Sequence, residues 1–321
     1  MEPSPARLES IEGFGASFEN IGKPLGAGAK PFHVAVVGGG IGGLSLTIGL
    51  RRQGIPVQVY EAAHAFAEIG AGIAFSPNSI QAMSLIDPAI RACFQRRATK
   101  NTFEEDEQTW INFRHGLGDP ELIAKVQTTD VDKTGLSSVH RAHFLDDLAS
   151  LIPTDIVHFG KRLLSLDQQA SGKIRLFFED GTAAEADAVL GCDGIRSRVR
   201  QLLLERKGPL DDLTFSGKYA YRGLVPMPQA RSALGDYLSG NSQMYLGPGG
   251  HILTYPIEHG QMMNVVAFVD KDDDWEHEQW VLKNKLAEMK QDFRGWGEPV
   301  QKILEASSRS CGHFVSVGQP R

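Results

Sequence analysis

"FHVAVVGGGIGGLSLTIGLRRQGIPVQVYEA", residues 32–62, holds a strand, a glycine turn, a helix and a second strand in one run. Val34 to Val37 are apolar without a break, as expected of a parallel strand buried on both faces. Gly38, Gly40 and Gly43 follow in G-x-G-x-x-G spacing. The first glycine permits a tight turn, the second lets backbone N–H groups approach a pyrophosphate, and the third lets the helix sit close to the strand. The N-terminus of the helix offers free N–H groups and partial positive charge to a phosphate. Arg51 and Arg52 suit its C-terminus, and Gly54 suits the position just past it.

The second strand is expected over 55–60 and ends in Glu61. An acid about 20 residues beyond the glycine turn accepts hydrogen bonds from ribose hydroxyls. A carboxylate there disfavours a 2′-phosphate, so the pattern predicts an adenosine of the FAD or NAD type. Strand, turn, helix and acid together make a dinucleotide site a far more specific reading than a lone glycine-rich turn.

The remaining composition narrows the class. The chain has 321 residues, 41% hydrophobic and 22% charged, which fits a globular protein with a real core. A net charge of -6 argues against nucleic acid or an anionic membrane as the main partner. No apolar run approaches the ~20 residues that a membrane span needs. Cys93, Cys192 and Cys311 are scattered and odd in number, which predicts a reducing, cytoplasmic setting rather than a disulfide framework. No Cys/His metal spacing, G-x-S-x-G, H-E-x-x-H or Walker A pattern competes, so no metal is expected. Residues 1–31 are rich in Gly, Ala, Ser and Pro with scattered acids, and are expected to be a disordered leader. The acidic run Asp272 to Asp274 reads as a solvated turn.

Three further stretches follow in order: "GAGIAFSPNSIQAM" from Gly70, "HRAHFLDDL" from His140, and "DAVLGCDGIRSRVR" from Asp187. On bare physics Ser76 or Asn78 caps a helix, Arg141 is a solvated arginine at a helix start, and Asp193 caps the helix after its turn. With the N-terminal fingerprint, these motifs resemble the single-component FAD-dependent aromatic hydroxylases. The salicylate hydroxylase-like branch fits best, with the fungal enzymes of phenolic polyketides, and the likeness extends over about residues 32–305. The resemblance implies FAD, with NADH or NADPH and O2 as co-substrates and a phenolic small molecule as substrate. It implies that Asp193 lies against the flavin's pyrophosphate and ribityl region, that Arg141 reaches the phosphates, and that Gly70 and Gly72 approach the flavin ring.

A hairpin precedes the strand that leads to Asp193, and the pattern changes after Arg200. Ile174, Leu176 and Phe178 alternate before Asp180-Gly181, which reads as a hairpin. After Arg200 come short β runs punctuated by Gly and Pro, "GKYAYRGLVPM", "SQMYLGPGGHILTYPI" and "QMMNVVAFVD". Residues 275–306 are expected to be helical, with Val281, Leu282, Leu286, Met289 and Phe293 at helical spacing and a short helix from Glu298. Tyr255 shares a strand face with His251 and Leu253. The resemblance implies that Arg222 and Tyr255 hold a substrate phenolate, since an arginine beside a phenol stabilises its anion. Otherwise Arg222 is an edge-strand salt bridge, Tyr255 a core aromatic and His251 a structural histidine.

The expected fold is α/β. A Rossmann-type FAD-binding domain with a parallel sheet covers 32–205, and an inserted, mostly antiparallel substrate domain with trailing helices covers 206–306. The resemblance also implies a later return segment with a Gly-Asp turn and a long helix. "SSRSCGHFVSVGQPR", from Ser307, contains neither, so 307–321 is expected to be an aberrant tail of a truncated chain. A non-catalytic fragment with weak FAD binding is therefore the alternative to a working monooxygenase, ahead of an NAD-dependent dehydrogenase.

Overall fold

The computed structural model describes residues 31–66, 72–128, 135–204, 215–271, 281–283, 285–310 and 315–320. The leader up to residue 30, Gly70 and Asp272 to Asp274 lie outside them.

Strand β1 (Val34–Val37) runs into α1 (Ile41–Arg52) and β2 (Val57–Tyr60). β3 (Gly72–Phe75) precedes a helix pair, α2 (Pro77–Ile86) and α3 (Pro88–Arg97). β4 (Thr109–His115) and β5 (Leu122–Gln127) lead to β6 (Ser137–His140) and α4 (Arg141–Ala149). β7 (Val157–His158), β8 (Leu163–Gln168), β9 (Ile174–Phe178), β10 (Ala183–Ala186), β11 (Ala188–Gly191) and α5 (Arg198–Leu204) complete this half. The second half opens with β12 (Phe215–Pro226), then α6 (Met227–Leu234) and α7 (Asp236–Gly240). β13 (Gln243–Gly247), β14 (Gly250–Ile257), β15 (Met262–Asp270) and β16 (Val281–Lys283) follow. α8 (Leu286–Asp292), α9 (Glu298–Ser310) and β17 (Val315–Pro320) come last.

The first sheet has the order β11-β1-β2-β7, and its three pairings are parallel. Val34, Ala35, Val36 and Val37 are all buried, as the unbroken apolar run predicts. α1 buries Leu44, Thr47 and Ile48 on one face, and with α2, α3 and α4 it encloses a core that includes Phe94, Phe144 and Leu148. α1 stops at Gly54, whose φ of +72 suits a residue without a side chain. The expected hairpin is β9–β10, in a three-stranded antiparallel sheet with β8.

The larger sheet has the order β16-β17-β12-β15-β14-β13-β4-β5. It is antiparallel apart from the parallel β13–β4 pair. One face packs on α8 and α9. In α9, Val300, Ile303 and Leu304 lie at helical spacing and are buried in one cluster with Tyr221, Ile252 and Val265. Tyr221 Oη donates to Asp292 Oδ2 at 2.6 Å and Tyr219 donates to the same oxygen, which pins the end of α8 to β12.

Asp106, fully buried, joins β4, β5 and α7. Its carboxylate accepts from Lys125 Nζ at 2.8 Å, Tyr237 Oη at 2.6 Å, Thr109 Oγ1 at 2.9 Å and Asn241 Nδ2 at 3.0 Å. Burial alone would raise its pKa. The donors outweigh burial and hold the carboxyl below the usual range.

Two expectations are corrected. Val281 and Leu282 belong to strand β16 rather than to a helix, because the segment pairs with β17. Ser76 is the N-cap residue of α2, but its hydroxyl bonds Asn78 Oδ1 instead of a backbone N–H. α9 continues to Ser310, and residues 315–320 form β17 between β12 and β16. No helix among the described residues is long and apolar enough to cross a membrane.

Candidate active site

The turn after β1 and the turn after β11 bound a cleft of about 530 Å³, lined by Gly38, Gly40, Glu61, Arg141 and Asp193. Gly38 has φ +104, and a Cβ on it would stand 2.4 Å from the carbonyl oxygen of Cys192. The two turns are therefore pressed together, and only glycine allows it. Gly43 stands behind the cleft: a Cβ there would lie 1.9 Å from the carbonyl oxygen of Gly38, so the bare residue lets α1 rest on the turn. A Cβ on Gly40 would meet nothing within 4 Å, because the space before it is the cleft itself. Gly40 is the N-cap of α1, so the first N–H groups of the helix lack intrahelical partners beside that space.

Glu61 serves the turn as well as the cleft. Its Oε2 accepts from Gly39 N at 2.6 Å and its Oε1 from Ala63 N at 2.8 Å. Each carboxylate oxygen keeps a further lone pair for a hydroxyl donor. Asp193 is not the N-cap of α5: Ser197 holds that position and its Oγ accepts from Arg200 N at 2.9 Å, while Asp193 reaches the same helix start from further upstream. Its carboxylate accepts from Ser197 Oγ at 2.6 Å and from the backbone N of Arg198 at 2.6 Å and Val199 at 3.1 Å. Those bonds orient the Cys192-Asp193 backbone against Gly38. Arg141 is the first residue of α4, and its side chain reaches the cleft wall.

Sequence reasoning missed other basic residues in the same wall: Lys161, Arg162, Arg196 and Arg198. Composition shows that "GIRSRVR" is basic, but it does not show which of its arginines turn inward. A glycine cradle at a helix start, a ribose-side acid and a basic wall fit the pyrophosphate and ribose of a dinucleotide. The residues present therefore match an FAD adenosine-diphosphate portion.

Gly72 is not in the cleft wall. It sits one layer behind, where its absent side chain makes room: a Cβ would meet Asn264 Cγ and Tyr255 Cε2, each at 3.0 Å. Strand register explains why. Tyr255, Asn264 and Leu224 lie across from one another on β14, β15 and β12, and Leu253, Val266 and Arg222 form the next row. Paired residues point to the same face, so Arg222 and Tyr255 share the face turned toward β3.

Arg222 lies on a central strand, paired with Val266 on one side and Val315 on the other, so the edge-strand reading does not hold. Among the described residues no carboxylate forms a salt bridge with it. Burial lowers its pKa, Arg141 lowers it further, and Tyr255 opposes both. Burial pushes the Tyr255 phenol up to about 12, with Arg222 and Asn264 pulling the other way. Tyr255 also packs with Ile111, Leu136 and Ile257, so it belongs to the core as well. His251 stacks on Phe268 at 4.6 Å between ring centroids, as suits a structural histidine.

Comparison with known proteins gives this geometry a relationship. The 6-methylsalicylate 1-monooxygenase of Aspergillus terreus is 44% identical over 279 residues, which is 85% of this chain and 61% of that protein. The salicylate hydroxylase of Pseudomonas putida is 37% identical over 285 residues, 85% of this chain and 64% of that one. A solved salicylate hydroxylase substrate complex superposes with a TM-score of 0.75 at 29% identity, covering 90% of this chain and 68% of that chain. The chain spans about three fifths of the length of the curated relatives it matches first. The family described as FAD binding domain matches residues 32–218, which takes in both turns and every residue of the cleft. The chain belongs to that FAD-binding family, on the branch that includes the salicylate hydroxylase-like monooxygenases of fungi.

Proposed function

We propose that this protein is an FAD-dependent monooxygenase that hydroxylates a phenolic, polyketide-derived aromatic molecule with NAD(P)H and O2, in the cytoplasm. The observation that carries the reading is the adjacency of two sites. The dinucleotide cleft is walled by Arg141, and the sheet face behind β3 presents Arg222 and Tyr255, with Arg141 close enough to depress the Arg222 pKa. The relatives named for salicylates support the substrate class.

The chemistry that bound FAD supplies is acceptance of a hydride from NAD(P)H and activation of O2. The helix start at Gly40 and the side chain of Arg141 would bind the pyrophosphate, Glu61 would orient the adenosine ribose, and Asp193 would hold its turn on the ribityl side. Arg222 holds the substrate oxygen as an anion, which enriches the ring in electrons. Tyr255 keeps its proton near neutral pH and donates a hydrogen bond to that same oxygen. The apolar surroundings of Tyr255 exclude water from the reacting carbon.

Two measurements test the reading. Titration of the 321-residue chain with FAD, followed by flavin fluorescence, reports binding. NAD(P)H oxidation stimulated by a phenolic acid, with the hydroxylated product identified by mass, reports activity. Flavin binding without product formation would favour a non-catalytic flavoprotein, and no flavin binding would overturn the reading.

A further inference from the structure

His140 ends β6 and His143 lies in the first turn of α4, so one short stretch presents two imidazoles on neighbouring positions. Their ring centroids are 4.3 Å apart. Glu258 reaches them from the turn after β14, with Oε1 at 3.7 Å from His140 Nε2. One metal-ligating atom from each of the three lies within 4.8 Å of the other two.

The His140 ring is the telling part. Its side chain is only 13% exposed. Nδ1 is buried with no hydrogen-bond partner, and Nε2 is too far from Glu258 for a hydrogen bond. A buried ring nitrogen left without a partner is costly.

The opposite ligand is held just as firmly. Glu258 and His259 adopt φ of +51 and +54, the left-handed region that residues with side chains avoid. Thr99 Oγ1 accepts from His259 N at 2.8 Å. Ser138 Oγ, two residues before His140, donates to the carbonyl oxygen of Pro256 at 2.5 Å. These bonds fix the turn carrying Glu258 over the end of β6.

We propose that His140, His143 and Glu258 bind a divalent transition-metal ion, with Zn²⁺ the best fit. Two imidazoles and one carboxylate suit Zn²⁺, whereas Mg²⁺ and Ca²⁺ favour all-oxygen shells. Zinc bond lengths of about 2.0–2.1 Å put tetrahedral ligands roughly 3.3 Å apart. The exposed His143 and partly exposed Glu258 reach that spacing by side-chain rotation, with water in the fourth position. Glu258 is remote in sequence from the two histidines, so no spacing pattern reveals the site. The ion would bridge the helix that carries Arg141 to the sheet that carries Tyr255.

The test is a Zn²⁺ titration of the chelator-treated chain against a chromophoric competitor. One equivalent should bind, and Mg²⁺ should not displace it. His143→Ala removes an exposed side chain and so leaves folding intact. It and Glu258→Gln should each weaken Zn²⁺ at least about tenfold, given that even outer-shell changes cost 10–100-fold. His115→Ala, at an exposed histidine elsewhere, should change nothing. Absence of saturable one-to-one binding, or unchanged affinity in either the His143 or the Glu258 variant, overturns the proposal.

Discussion

The backbone N–H of Gly72 donates to Asn264 Oδ1 at 3.0 Å, and through this bond β3, beside the dinucleotide cleft, is fastened to β15 of the larger sheet. Asn264 is almost wholly buried and lies across the strand from Tyr255. The bond fixes the distance between the layer that holds the cofactor and the face that bears Arg222.

Asn264→Ala should therefore leave a buried N–H without an acceptor and lower stability by about 1–3 kcal/mol. Urea denaturation of the two chains checks the size of the effect. A variant as stable as the parent would show that water or rearrangement replaces the bond.

Gly40 and Gly43 should respond differently to the same change. Gly43→Ala drives a Cβ into the carbonyl of Gly38, and overpacking of this kind costs about 1–3 kcal/mol or more. Gly40→Ala meets no protein atom, so the fold should hold while FAD affinity falls. Thermal melting and flavin titration on both variants separate the two outcomes.

Asp106→Ala should cost about 1–3 kcal/mol for each of the buried donors Thr109 and Asn241 that it leaves without an acceptor, besides the ion pair with the partly exposed Lys125. The folded-state pKa of Asp106 lies below its ordinary value. Its contribution is thus fully present above the unfolded pKa of about 3.9 and is lost as pH falls through the lower folded value. Stability measured against pH should show this acid-side loss in the parent and not in the variant.

Arg222→Gln should bind FAD as the parent does but hold a phenolate substrate more weakly. Loss of a charged hydrogen bond of about 1.5–3 kcal/mol corresponds to roughly 10–100-fold in Kd. Tyr255, with its pKa pushed up to about 12, keeps its proton over the working range. Tyr255→Phe should accordingly leave any basic limb below pH 10 or so unmoved, and a pH–rate profile decides it.

The local chemistry of the cleft was legible in the chain. Val34 to Val37 and the glycine spacing follow from backbone sterics and nearest neighbours, and each stands where those rules put it, whereas the N-cap expected at Asp193 falls on Ser197. What depends on register was not legible. That Arg222 and Tyr255 share a face follows from the β12–β15–β14 alignment, and nothing in "YAYRGLVP" or "HILTYPI" encodes it. Val281 and Leu282 matched a helical repeat because short apolar runs fit both periods, and pairing with β17 decides for strand. The Thr99 and Ser138 bonds that place Glu258 are likewise invisible to a local reading.

His33 N donates to Asp187 Oδ2 at 2.7 Å across 154 residues, next to the parallel pairing of β1 with β11. On the ribosome, the glycine turn is thus made long before the wall that completes it. A nascent chain that has emerged only through α4 carries a phosphate cradle with no back and an open strand edge. Such pairings of distant segments form late because loop closure must come first. Cofactor capture during synthesis has to wait for β11, so the first βαβ unit of this protein is not a portable dinucleotide-binding module.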